Sequence, residues 1–74
     1  MDNNYSVVLF HSTSAAIKAE KVTRKAGLNV KLIPVPRHLS SDCGISLRFK
    51  SDDSEKVRKI MDAELVEYDS IHIL

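Results

Sequence analysis

With one cysteine, two glycines, two prolines and no tryptophan, this 74-residue chain has few of the residues that usually carry a motif. A lone Cys43 excludes an internal disulfide and a Cys-x-x-Cys redox pair, so any thiol chemistry must pass between this chain and another molecule. Gly27 and Gly44 stand apart and build no phosphate-cradling loop. Asp42, Asp52-Asp53 and Asp62 fall on separate segments, and Asp52 with Asp53 already has a helix-capping role, so a carboxylate pair for acid–base catalysis is not supported. One cysteine and three histidines lack zinc-ligand spacing, so no metal is expected, with Cys43, His38 and His11 the one set a fold could still gather. Eleven Lys and Arg against ten Asp and Glu give +1, too little excess for a protein that neutralises many phosphates, and nucleic acid is not the expected partner. No stretch approaches the roughly 20 apolar residues of a membrane span, and Met1-Asp2-Asn3-Asn4 does not open a signal segment. The expectation is a soluble, cytoplasmic protein without membrane association.

What is there reads as one domain over 1–74, with an aliphatic core because only 5% of residues are aromatic. Tyr5 to Phe10 is rich in β-branched and aromatic residues, as strands are. His11-Ser12-Thr13-Ser14 then offers helix caps ahead of Thr13 to Ala26, where Ala15, Ala19, Val22 and Ala26 recur at helical spacing and Gly27 ends the run. Leu28, Val30 and Leu32 alternate with polar residues, as do Ile45, Leu47 and Phe49, so these two strands pair as a hairpin with a long loop. Asp52 with Glu55 suggests a capping box before a second helix that buries Val57, Ile60 and Met61. Leu65 to Leu74 returns to strand composition, but its inward parity switches, which predicts a bulge or a strand end near Asp69-Ser70.

The order β-α-β-β-α-β predicts an α+β, ferredoxin-like sandwich with an antiparallel sheet of order 4-1-3-2 and both helices on one face. Val7-Val8-Leu9-Phe10 lacks alternation on what would be a central strand, so one apolar pair faces away from the helices. Either that pair marks a homodimer surface on the open sheet face, or it is screened by Lys31 and Arg48.

The run Pro34-Val35-Pro36-Arg37-His38-Leu39-Ser40-Ser41-Asp42-Cys43-Gly44 fits neither strand nor helix, and it holds the thiol. In the predicted topology this loop lies at the edge where the first strand ends and the first helix begins, near Ser12, Thr13 and Ser14. A helix start carries unpaired N–H groups and about half a positive charge, which favour a thiolate or another anion. Arg37 and His38 are the cationic candidates nearest in sequence, Ser40 and Ser41 add hydroxyl groups, and Gly44 leaves room beside the sulfur. Asp42 acts in the opposite sense, since an adjacent carboxylate disfavours a thiolate.

The strand ending in Phe10, Ser12-Thr13 with Ala16 and Glu20, Pro34-Val35-Pro36-Arg37 with Ser40-Ser41, and Cys43-Gly44 ahead of a strand together resemble a family of small selenium/sulfur carrier-like proteins. That resemblance implies a carrier rather than a turnover enzyme. It would need no cofactor, would hold sulfur or selenium on Cys43 as a persulfide or selenosulfide, and would exchange it with donor and acceptor proteins. The chain lacks the Cys-Pro-x-Pro that opens the first helix of the better-known sulfur-relay carriers. The alternative is a non-catalytic small-ligand or protein-binding regulatory module that uses the Arg37 to Ser41 loop, with Cys43 merely packed.

Overall fold

A computed structural model describes residues 4–39 and 43–74. The elements are β1 (Tyr5–Leu9), α1 (Thr13–Lys25), β2 (Val30–Pro34), β3 (Ile45–Lys50), α2 (Ser54–Ala63) and β4 (Ser70–Ile73), with a single 3-10 turn, Ser51–Asp53, ahead of α2. The four strands form one sheet in the order β2-β3-β1-β4, every neighbouring pair antiparallel. This is the ferredoxin-like sandwich that the element order predicts.

The core lies between the helices and one sheet face. Val8, Phe10, Leu47, Phe49 and Val30 meet Ala16 and Ala19 of α1 and Val57 and Met61 of α2. Successive strand residues point to opposite faces, so Val7 and Leu9 occupy the helix-free side. They are nevertheless only 0% and 2% exposed in the single chain. Of the two outcomes that the unalternating strand left open, the pair is found covered within the single chain, and no exposed apolar pair among the described residues of that strand argues for a homodimer.

α1 opens with Ser12, whose hydroxyl accepts the Ala15 N–H at 3.2 Å. It closes at Gly27, φ +88°, where the Leu28 N–H reaches the Thr23 carbonyl and the Gly27 N–H reaches that of Arg24. This is the paired-bond ending that a left-handed residue allows. It claims Leu28 for the helix end, which is why β2 begins at Val30 and not at Leu28. The buried stripe is Ala16, Ala19 and Thr23, with Ala15 and Val22 at its margin. Ala26 is exposed because the helix has already stopped.

The helix-two start also differs from expectation. Asp52 and Asp53 lie in the 3-10 turn, Asp53 stands at the α2 N-cap position, and it makes no side-chain capping bond. The turn is anchored instead by Ser51, whose N–H donates to the Asn4 carbonyl and whose hydroxyl meets that of Ser6 at 2.7 Å. At the far end of α2, Val66 donates to the Met61 carbonyl and Leu65 to that of Asp62, with Leu65 itself at φ +57°. The parity switch in Leu65 to Leu74 is thus a strand end: Leu65 belongs to a helix terminus, Val66 is buried beneath it, and β4 starts only at Ser70.

Candidate functional site

The strand β2 runs one step further than its sequence suggests, through Pro34, which pairs with Ile45. The reason lies in the ladder. The Val35 N–H donates to the Gly44 carbonyl at 3.2 Å, so residues 35 and 44 form a hydrogen-bonded pair and the preceding pair, Pro34 with Ile45, does not. Pro34 therefore lacks an N–H only on the outer side of an edge strand, where proline is tolerated. The described residues contain no cis peptide bond, so both prolines are trans.

Beyond Val35 the chain turns sharply. The Leu39 N–H donates to the Pro36 carbonyl at 2.9 Å, which places Arg37 and His38 at the two central positions of a tight turn, both exposed. Pro36 supplies no N–H there and fixes the entry angle. Ser40, Ser41 and Asp42 lie outside the described residues.

Cys43 re-enters half-buried and packs against the core cluster beside Ile45. Its Sγ–H donates to the Ile45 carbonyl oxygen at 3.2 Å. Gly44 follows at φ +72°, exposed, and a Cβ built on it would meet none of the described residues within 4 Å. The glycine thus serves the left-handed turn into β3, and none of the described residues fills the space beside it.

Strand register sets this segment relative to α1. Leu9 stands opposite Ser46, so β1 reaches its end on the sheet edge where β3 begins. The Cys43-Gly44 entry to β3 and the Ser12-Thr13 start of α1 share that edge. Ser12 and Thr13 are exposed, and the first turn of α1 contains no acidic residue to offset its unpaired N–H groups. The Ser12 hydroxyl is already engaged as the helix cap. His11 is exposed at the same corner. His72 belongs to a different region: it pairs with Val7 in β4, and its Nε2 lies 2.8 Å from the Ser70 hydroxyl. Among the described residues no group of three or more His, Cys, Asp or Glu is gathered to hold a metal ion.

Sequence reasoning missed the Ile45 carbonyl, the one group bonded to the sulfur among those described above. A backbone acceptor leaves no mark in residue type. The only available signal was the left-handed glycine between Cys43 and Ile45, which folds the chain back on itself.

A family model described as "Putative Se/S carrier protein-like" matches residues 4–73, from the first strand to the last. The chain belongs to that family. Neither the curated proteins nor the solved structures contain a match. Family membership covers the fold and the thiol segment together, and it accords with partner proteins as the natural counterparts of a carrier. No helix among the described residues is long and apolar enough to cross a membrane.

Proposed function

We propose that this Se/S carrier-like protein accepts a sulfane sulfur or selenium atom on Cys43 and passes it to another protein. In the sulfur case the Cys43 thiolate attacks the terminal sulfur of a donor persulfide. A Cys43 Sγ–S bond forms, the donor S–S bond breaks, and the donor cysteine leaves as its thiolate, so no outside oxidant or reductant is consumed. Delivery repeats the step with an acceptor thiolate. Selenium follows the same course through a selenosulfide.

The observation that carries this reading is the placement of a half-buried thiol next to open space at Gly44, on the edge where α1 begins. A sulfur partly covered by the core can hold its cargo away from bulk thiols, while the glycine side admits a partner. The acid-free start of α1 supplies electropositive N–H groups to an anionic sulfur, and Arg37 adds a cationic side chain and His38 an imidazole on the same loop. Ser12, Thr13 and Gly44 line the corner, and Ser40 and Ser41 stand between the turn and the thiol in sequence.

Incubation with a cysteine desulfurase and sulfur-labelled cysteine tests the proposal. The native chain should acquire label that a reductant releases, and Cys43→Ser should acquire none. Equal labelling of the two proteins would reject it.

A further inference from the structure

We infer that the helix-free sheet face is a docking surface for an acidic segment of a partner protein. Lys31 stands directly opposite Arg48, Arg48 opposite Val7, and Val7 opposite His72, so a single row across all four strands carries two cations and a histidine. Lys50 continues the face one step along β3, opposite Tyr5. None of the four strands contains an aspartate or glutamate. Among the described residues no carboxylate pairs with Lys31, Arg48 or Lys50.

Like charges placed directly across a sheet repel, and that repulsion lowers the stability of the pair that holds Lys31 against Arg48. No described carboxylate offsets it. A negatively charged occupant would. The arrangement is also fixed in place: the Arg48 guanidinium lies 4.5 Å from the centroid of the Tyr5 ring, which holds the charge over the sheet rather than free in solvent. Lys31 and Lys50 are exposed, and Val7 beneath them is buried, so the face presents charge over an apolar floor.

Two alternatives fit less well. The other basic surface, Lys18, Lys21, Arg24 and Lys25 on α1, includes a carboxylate of its own, with Arg24 and Glu20 paired at 3.5 Å. Single-stranded nucleic acid needs exposed aromatic faces on which bases stack. On this face Tyr5 is the only aromatic residue, and its ring is covered by Arg48.

Amide spectra of the isotope-labelled full chain, titrated with poly-L-glutamate at low salt, test the inference. The expected result is shifts at Lys31, Arg48, Lys50 and His72 that vanish as salt is raised and are lost in Lys31→Gln/Arg48→Gln. Cys43→Ser should leave them unchanged, since docking does not depend on chemistry at the thiol. Should the double variant fail to fold, the exposed Lys31→Gln alone must weaken the response. Shifts centred on Lys18, Lys21 and Lys25, or no shifts, would overturn the proposal. Larger shifts around Tyr5 with poly-uridylate than with poly-glutamate would overturn it in favour of nucleic acid.

Discussion

The thiol of Cys43 donates its proton to the carbonyl oxygen of Ile45, two residues further along the chain, at 3.2 Å. Only a sulfur that carries a proton can make this bond. A thiolate has no proton to give, and in a persulfide the proton sits on the outer sulfur. Chalcogen loading must therefore release the Ile45 carbonyl. The carbonyl carbon resonance of Ile45 should move on loading while those of Leu47 and Phe49, further along β3, stay put. An unchanged Ile45 signal in a fully loaded sample would contradict this coupling.

Gly44 tests whether the turn beside the sulfur is needed for its backbone or for its space. At φ +72° an L-residue is strained even though none of the described residues stands within 4 Å of its Cβ. Gly44→Ala should cost about 1 kcal/mol of stability, measured by chemical denaturation, because the left-handed conformation alone costs about 1–2 kcal/mol. A cost near zero would show that the turn relaxes to another conformation.

Leu65 holds the same left-handed conformation at φ +57° without being glycine, and it is 85% exposed. Its side chain returns little burial energy for the strain. Leu65→Gly should stabilise the protein by up to about 1 kcal/mol, the relief of left-handed strain less the greater freedom of glycine in the unfolded chain. Thermal unfolding checks this, with a rise of roughly 4–8 °C per kcal/mol expected for a domain this small. Leu65→Ala should give no such gain.

The alanines of α1 set how near that helix lies to the sheet. Ala16 and Ala19 are fully buried within the core cluster. Ala19→Leu should destabilise by about 1–3 kcal/mol through overpacking, whereas the same change at the exposed Ala26 should be nearly neutral. Equal effects at the two sites would mean that the helix can move outward freely.

Much of this architecture could be read before any coordinates, because period-two and helical patterns report directly which face is buried. The alternation of Ile45, Leu47 and Phe49 located β3, and Gly27 located the end of α1. Local chemistry misled where tertiary bonds decided. Asp52 with Glu55 has the form of a capping box, yet Ser51 is held by Asn4 and Ser6 from the far end of the chain, and a 3-10 turn forms first. Leu28 alternates correctly with Val30 but is captured by the helix terminus. For the site, residue type proposed Cys43, Gly44, Arg37 and His38, and the strand order proposed a corner beside α1; the register puts the Cys43-Gly44 entry to β3 and the start of α1 at one sheet edge. The sulfur's acceptor was invisible because every residue has a carbonyl.

Pro34 closes an edge strand with its missing N–H turned outward. Another polypeptide laid alongside β2 would find no donor at that step, and the rungs of any continuing intermolecular sheet would be broken at the end nearest the thiol segment. The proline that ends β2 thus guards this border against runaway strand addition, an advantage for a chain this short.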